Sequence, residues 1–217
     1  MQVAGMRGSG AAIDVEATDT AKTLAAKVNS QTASTGVTAS AKTEVALQMG
    51  AEAYSFALKG DNATAVEVNF TVSGTASSAS DFAAGINAIN AQSAKTGVTA
   101  EYDATNKGLK LTHASGADIQ IENKTVATKF DISSLDAAGA AQGTPYSAAA
   151  ANATAVVNGQ ISYDSEGAFK VTDTSGLASG NTSTLKSVAS LDISTFEGAQ
   201  AAIKIADAAL STVNTQR

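Results

Sequence analysis

A twelve-residue segment occurs twice in the first half of the chain, and the second occurrence lies 61 positions after the first. The segment 28–39 reads Val-Asn-Ser-Gln-Thr-Ala-Ser-Thr-Gly-Val-Thr-Ala, and 89–100 reads Ile-Asn-Ala-Gln-Ser-Ala-Lys-Thr-Gly-Val-Thr-Ala. The two segments align without a gap, and most of their differences are conservative. An internal repeat of this kind predicts that the chain builds one local structure twice.

The residues before the second occurrence have the pattern of a short amphipathic helix. Ser80 or Asp81 can cap such a helix with a side-chain oxygen. Three large apolar residues then fall on one face at helical spacing, namely Phe82, Ile86 and Ile89. The Thr-Gly pair that follows predicts a helix end and a turn into a strand.

The first occurrence has a weaker version of the same pattern. Thr18 or Asp19 can cap the helix there. The equivalent apolar face consists of Ala21, Leu24, Ala25 and Val28. We therefore expect a helix, a Thr-Gly turn and a strand in both copies.

Alternating apolar and polar residues predict strands around these helices. The predicted strands are 54–58, 66–72, 98–102, 109–113 and 119–121, with turns at 60–62 and 106–108. The repeating unit thus reads strand–strand–helix–strand–strand, and each helix is expected to cover the apolar face of a small sheet. The leading hairpin of the first copy is expected to be truncated, because only Ile13 and Val15 indicate a strand there.

These elements predict an α+β fold with two related ββαββ-type units, whose small antiparallel sheets are each covered by a helix. Irregular β structure and one C-terminal amphipathic helix are expected to follow. The predicted domains are 1–50 for the first, truncated unit, 51–135 for the second, 136–190 for an Ala/Gly-rich connection with short strands, and 191–217 for the start of the C-terminal helix. Within them we expect 136–155 to be loop, and strands near 156–157, 161–163 and 169–171.

The C-terminal helix differs in kind from the rest of the chain. Ser194 and Glu197 form a capping-box pattern, with the glutamate three residues after the serine. Apolar residues then alternate at spacings of three and four, as in a coiled-coil seam. The predicted helix-packing seam consists of Phe196, Ala199, Ile203, Ala206, Leu210 and Val213. This narrow stripe indicates a partner helix outside the chain, and the alternative is that the helix packs on the strand domain.

The segment 191–210 resembles the start of the C-terminal helix of bacterial flagellin. The resemblance lies in a Ser-Thr entry, an Ala-Gln-Ala-Ala-Ile run and an Asp-x-Ala-Leu step. The helix followed by Thr-Gly-Val-Thr-Ala, at 86–90 and 96–100, is similar to the insertion motif of flagellins and hook-associated proteins. Under this resemblance 1–50 and 51–135 are insertion-motif units, and 191–217 begins a helix of the inner helical domain.

The resemblance implies a structural subunit of the flagellar filament, with this fragment as its solvent-exposed, variable and antigenic outer domain. The implied partners are other flagellin subunits, through helical domains that the sequence lacks, and the flagellar export apparatus. Host antibodies and the innate-immune flagellin receptor are further implied partners, the latter mainly through absent regions. The implied location is extracellular, in the flagellum, after export without a cleaved signal peptide. The alternatives are a hook-associated or filament-cap protein and, more distantly, a sugar-binding adhesin or phage-tail module.

Composition argues against most other classes of function. The chain has no cysteine, a single histidine and a formal net charge of -6, with 16% charged residues. These features argue against thiolate metal sites, sites that need two imidazoles, and binding to nucleic-acid phosphates. We expect no membrane span, no metal, no cofactor and no enzymatic activity. His113 is expected to be structural, and the Asn-x-Ser/Thr triplets at 62, 69, 123, 152 and 181 are expected to lie in ordinary polar segments.

Overall fold

The fold is that of a computed structural model, which describes residues 1–125, 130–136, 139–173, 182–184, 193–194 and 196–215. Its helices are α1 Ala21–Asn29, α2 Thr32–Thr35, α3 Ala83–Asn90, α4 Ser93–Thr96 and α5 Phe196–Thr215. Its strands are β1 Gln2–Gly5, β2 Gly8–Ser9, β3 Val37–Met49, β4 Ala53–Lys59, β5 Val66–Thr71, β6 Val98–Asp103, β7 Gly108–His113, β8 Ile119–Asn123, β9 Phe130–Leu135, β10 Ala141–Ser147, β11 Thr154–Val157, β12 Gln160–Ser165 and β13 Lys170–Thr172.

The strands form three sheets. One has three strands in the order β13-β1-β2, and another has four in the order β11-β8-β4-β5. The third has six strands, with β10-β9-β3-β7-β6 in sequence and β12 paired to β3. All the strand pairs whose residue-to-residue register is defined are antiparallel.

The chain divides into two compact units that are both discontinuous in sequence. Unit 1 comprises Met1–Glu16, Lys27–Ala39 and Tyr163–Arg217, and unit 2 comprises Ala17–Ala26 and Ser40–Ser162. Unit 2 thus interrupts unit 1 along the chain. This division differs from the four consecutive domains expected from the sequence, and the assignment of those ranges to motif units stays a prediction.

Unit 2 has the larger apolar core. Helix α3 packs against both β5 and β6, so that it covers strands from two different sheets. Between the sheets, Phe56 lies 5.8 Å from both Phe70 and Phe130, measured between ring centroids. Tyr54 adds a fourth ring, 6.1 Å from Phe130. A fully buried side chain such as Phe56 contributes about 1.5–3 kcal/mol, so this cluster contributes to the stability of unit 2 together with the aliphatic residues packed around it.

Unit 1 has a smaller core made chiefly of valines. Val3 on β1 pairs with Val171 on β13, and both are buried. Val28 at the end of α1 and Val37 at the start of β3 are buried as well. One ring pair, Tyr163 with Phe169, adds to the unit at 6.4 Å. Among the described residues, unit 1 has fewer and smaller buried apolar groups than unit 2, so its described part is the less strongly packed of the two.

The predicted mixture of helices, small antiparallel sheets and a C-terminal helix is confirmed. The specific ββαββ unit is not confirmed: a second short helix follows each of α1 and α3, and the strands around α3 belong to two sheets. The leading hairpin of the first copy is not truncated, because β1 and β2 form it through Ala4–Ser9 and Gly5–Gly8 pairs. A two-residue strand in a Gly-rich segment carries no apolar alternation, so sequence reasoning missed it.

The prediction of loop across 136–155 is wrong for two of its segments. Strand β10 pairs with β9, and β11 begins at Thr154 and pairs with β8. All seven residues of β10 are exposed, so this strand forms through backbone hydrogen bonds and has no buried face. Alternation between buried and exposed positions is therefore absent, and a sequence pattern could not have revealed it.

The helix starts also differ from the expected caps. Helix α1 is capped by Thr20, whose hydroxyl accepts the Thr23 N–H at 3.3 Å while the Thr23 hydroxyl accepts the Thr20 N–H at 3.0 Å. Helix α3 has Phe82 at its N-cap position, with no side-chain cap. Asp81 instead accepts the Ser77 N–H at 3.1 Å in the preceding loop.

Candidate functional site

The C-terminal helix α5 carries the predicted seam. Ile203 and Leu210 are 64% and 68% exposed, although both are large and apolar. Ala206 is exposed as well, and Ala199 is half-buried. The side chains of Phe196 and Val213 lie outside the described part of the structure. The described members of the seam therefore present a stripe of apolar surface to solvent.

A different face of α5 is the covered one. Ala202 is buried, while Gly198, Ile205 and Ala209 are half-buried. These four residues follow one another at spacings of four, three and four, about a quarter of a turn from the seam. The large apolar residues of the seam, Ile203 and Leu210, are exposed in the described structure, and the alternative that the helix packs on the strand domain stays a prediction. The docking role of the seam stays a prediction.

Two further features concern the ends and charges of α5. The capping-box prediction falls outside the described residues, because Thr195 and the side chain of Glu197 are not described. Lys204 lies 2.9 Å from Asp164, and both side chains are more than half exposed. A solvent-exposed ion pair of this kind contributes only about 0–1 kcal/mol to stability.

The two repeated segments form the same corner, which we call the helix–strand corner: the last helical turns and the first residues of the next strand, 29–39 in unit 1 and 90–100 in unit 2. In unit 1 the Asn29 side chain binds both backbone groups of Ala39, at 2.7 and 2.8 Å. In unit 2 the Asn90 side chain binds both backbone groups of Ala100, at 2.7 and 3.0 Å. An amide supplies one donor and one acceptor, which explains why this position is asparagine in both copies.

The Thr-Gly pair closes each corner in the same manner. The Thr35 and Thr96 hydroxyls each donate to a backbone carbonyl one helical turn earlier, both at 3.0 Å. Each hydroxyl also accepts the N–H of the following valine, at 3.2 and 3.1 Å. Gly36 and Gly97 end the short helices with φ of +73° and +70°, which glycine adopts without strain.

The side chains that cover the corners are different. In unit 1, Arg7 lies over Gly36, and the Ser165 hydroxyl donates to the Gly36 carbonyl at 2.9 Å. In unit 2, Asp61 and His113 lie over Gly97. The sequence repeat did not identify these covering residues, because they come from segments without detectable similarity.

His113 has the structural role expected of it. Its side chain is 2% exposed, and its Nε2 lies 3.1 Å from Oδ2 of Asp61. Its Nδ1 accepts the Ala117 N–H at 3.3 Å, so the proton of the neutral ring is on Nε2. The Lys22 ammonium donates to the other Asp61 oxygen at 2.7 Å. This hydrogen bond, together with the interaction with His113, holds the pKa of Asp61 below its usual range against the opposing effect of partial burial.

The Asn-x-Ser/Thr triplets differ in their accessibility. Asn123 is buried and donates to the Ala148 carbonyl, and Asn62 is bonded to three backbone groups within its turn. Asn69 and Asn152 are exposed. Asn181 lies outside the described residues. The first two asparagines therefore have structural roles in turns and strand ends.

The described residues contain few other features that could hold a ligand. No group of three or more His, Asp or Glu side chains converges among them as metal ligands would. No helix within the described ranges is both long and apolar enough to cross a membrane. An open groove of about 440 Å³ lies beside β9, β10 and β11, lined mostly by uncharged polar side chains with Tyr146 and Val156.

Comparison with known proteins agrees with the resemblance drawn from the sequence. Residues 4–51 match the family of the flagellin hook IN motif. The chain is also 36% identical over 142 residues to the B-type flagellin of Pseudomonas aeruginosa. That similarity covers 59% of this chain and 28% of the relative, so the chain spans less than a third of the relative's length. The resemblance to bacterial flagellin is confirmed by both matches.

Proposed function

We propose that this chain is the solvent-exposed outer region of a flagellar filament subunit and that its role is structural and not catalytic. The observation that carries the proposal is the exposed apolar stripe of α5. Leaving Ile203 and Leu210 in water forgoes about 1.5–3 kcal/mol of burial for each side chain. A helix with one covered and one uncovered apolar face is typical of a chain whose remaining helices lie elsewhere.

The seam Phe196, Ala199, Ile203, Ala206, Leu210 and Val213 docks on helices that belong to the parent protein or to neighbouring subunits. The alternation of three and four residues fits such packing, because it keeps one narrow stripe in contact along a partner helix. Units 1 and 2 then form the part of the subunit that reaches the solvent and presents an antigenic surface.

The partners follow from this role. Other filament subunits are the main ones, and the flagellar export apparatus handles the chain before assembly, without a cleaved signal peptide. Antibodies bind the exposed units, whereas the innate-immune flagellin receptor binds mainly regions outside this chain. The location is extracellular, on the filament. The match to the B-type flagellin supports these assignments.

A hook-associated or filament-cap protein is the second candidate, since residues 4–51 match a motif that is named for the hook as well as for flagellin. Immunogold electron microscopy on parent cells, with antibodies against this chain, separates the two. Label along the whole shaft supports the filament subunit. Label only at the tip or the hook junction supports the second candidate, and the absence of label from flagella contradicts both.

The seam is tested by Leu210→Asp in the full-length parent protein. We expect filament assembly to fail, because the substitution buries a charge in a helix interface. In the isolated chain the same change should alter the free energy of unfolding by less than about 0.5 kcal/mol, since Leu210 is exposed there.

Ala201→Asp is the matched control for the seam. Ala201 is exposed on the same helix but lies on the side opposite the seam. We expect filaments to form with this variant. Normal assembly of the Leu210→Asp protein would contradict the docking role, and failure of both variants would mean that any added charge on the helix is harmful.

A further inference from the structure

We infer that units 1 and 2 are two copies of one fold, and that the second copy is inserted into a hairpin turn of the first. The sequence repeat covers only the helix–strand corner. The structure extends the equivalence to the strands described in unit 1, including β12 and β13, which come more than 120 positions after β2. The hook IN motif match, residues 4–51, covers the opening part of the first copy and only the first nine residues of the inserted segment.

The sheet orders are the first line of evidence. In unit 1, β1 is the central strand of β13-β1-β2, with antiparallel pairs on both sides. In unit 2, β4 is likewise flanked by β8 and β5, again with antiparallel pairs. In each unit, two consecutive strands thus form a hairpin. A strand that comes much later in the sequence then pairs with the free side of the first strand of that hairpin.

Close backbone contacts give the second line of evidence. A Cβ placed on Gly5, at the end of β1, would lie 2.2 Å from the Thr35 carbonyl oxygen. A Cβ placed on Gly60, just after β4, would lie 2.2 Å from the Thr96 carbonyl oxygen. Both positions therefore require glycine for the same reason, which is that the corner lies directly against the end of the central strand.

Strand register gives the third line of evidence. The Thr99 hydroxyl on β6 donates to the carbonyl of Thr112 on β7 at 3.4 Å. The Thr38 hydroxyl on β3 donates to the carbonyl of Asp164 on β12 at 3.3 Å. Thr38 and Thr99 occupy the same position of the sequence repeat, so Asp164 corresponds to Thr112 and β12 corresponds to β7.

This register locates the insertion. Lys42 corresponds to Asp103, and Gln160 corresponds to Gly108. In unit 2, Asp103 and Gly108 are joined by a turn of four residues, 104–107. In unit 1 the same place holds the segment 43–159. A hairpin turn accepts such an insertion because its two ends stay close together, so the added loop-closure cost rises only slowly with length.

Because the hydrogen bonds of each helix–strand corner form within one copy, we expect each corner to open independently of the other. Amide hydrogen exchange of the whole chain tests this with two matched variants, Asn29→Ala and Asn90→Ala. Each removes the side chain that binds Ala39 or Ala100. Loss of the acceptor leaves a part-buried N–H without its hydrogen bond, so we expect roughly tenfold faster exchange or more at that amide.

The expected result is local in both variants. Asn90→Ala should speed exchange at Ala100 and leave Ala39 unchanged, and Asn29→Ala should do the reverse. Equal acceleration at both amides in both variants would mean that the two units open as one body, and it would overturn the inference.

A shortened chain tests the insertion point itself. In it, residues 43–159 are replaced by Ala-Thr-Asn-Lys, the turn sequence of unit 2, with Lys42→Asp to restore the acceptor that Asp103 gives the turn. We expect β3 and β12 to pair as a hairpin and the Ala39 amide to stay protected from exchange. Residues 21–26 of α1 belong to unit 2, so this part of the helix loses its packing partners in the shortened chain.

Helix content and Ala39 protection are therefore measured together in the shortened chain. Protection of Ala39 supports the inference, whether or not residues 21–26 of α1 remain helical. Exchange of Ala39 at the rate of an unfolded peptide would overturn the claim that 43–159 stands in place of a turn.

Discussion

The two helix–strand corners share the backbone contacts of their asparagine and threonine side chains but have different covering side chains. Asparagine, threonine and glycine make the same hydrogen bonds in both, within a few tenths of an ångström. Arg7 and Ser165 cover the corner of unit 1, whereas Asp61 and His113 cover that of unit 2. The polar contacts that end a helix and start a strand thus define this fold, and the groups that pack over them vary.

The cores of the two units also differ, and this difference predicts unequal losses of stability when a core side chain is shortened. Phe56→Ala in unit 2 should lower the free energy of unfolding by about 3–5 kcal/mol, because it removes a fully buried ring at the centre of the aromatic cluster. Val3→Ala, at the corresponding central strand of unit 1, should cost less, since a smaller side chain leaves a smaller cavity. Denaturant unfolding measures both, with Val156→Ala, 54% exposed, as the control. Equal losses would contradict the difference in packing.

Alanine at the two corner glycines tests the covering groups directly. Both Gly36→Ala and Gly97→Ala force an alanine into the left-handed region, at about 1 kcal/mol. At Gly97 the new Cβ would also lie 2.5 Å from Nε2 of buried His113, whereas at Gly36 the nearest atom is Cγ of exposed Arg7 at 3.2 Å. Crowding that cannot relax adds about 1–3 kcal/mol, so Gly97→Ala should be the more damaging variant in thermal unfolding. If Gly36→Ala were the more damaging variant, the Arg7 side chain would be less able than His113 to move away from a new Cβ.

The charges over the unit 2 corner predict a pH dependence of stability. The folded pKa of Asp61 lies below its usual range, so the carboxylate stabilises the fold above the unfolded pKa, near 3.8, and this contribution is lost as the pH falls through the folded value. The melting temperature should therefore fall less between about pH 5 and pH 2 in Asp61→Asn than in the unaltered chain. The effect is small, because Asp61 is 41% exposed and solvent weakens the pair.

Lys22→Met is the matched variant for that titration, since it removes the first partner of Asp61 and leaves the carboxylate in place. It should reproduce most of the effect of Asp61→Asn, so the melting temperature should again fall less between about pH 5 and pH 2. If the melting temperature fell with pH in both variants just as in the unaltered chain, the contact between Lys22 and Asp61 would contribute nothing to the pH dependence of stability.

The smallest expected effect concerns α5. Lys204→Met removes its exposed ion pair with Asp164 and should change stability by less than about 1 kcal/mol, and by less still in high salt. Thermal unfolding at low and high salt measures it. A loss well above that limit would mean that this pair, more than the buried Ala202 face, holds the helix.

Sequence reasoning predicted those parts of the fold whose residues alternate or recur. It located α1, α3 and the strands β4 to β8, because their apolar residues follow the helical or strand period and are buried in the structure. It missed β1 with β2 and β10, which have little or no buried face. It also missed the pairing of β13 with β1, since that contact joins residues about 170 positions apart and depends on the fold of the whole chain.

The candidate site was predicted only in part. The seam spacing identified the residues of α5, and the exposure of Ile203 and Leu210 is compatible with that identification. The covered face of the helix, with Ala202 at its centre, was not foreseen, because alanine and glycine contribute too little apolarity to mark a face. The covering residues of the corners, such as Arg7 and Ser165, carry no local signal at all.

Strand β10 bears on how densely such molecules can be packed side by side. It is a sheet edge of seven exposed residues without a single charge, and an edge of that kind usually recruits a strand from another molecule. Its register shifts between Gln142 and Tyr146, and within that shift Gly143 turns the backbone while Pro145 offers no N–H. The interruption prevents a continuous ladder with a neighbour, so copies can be crowded at high local concentration without adhering to one another through this edge.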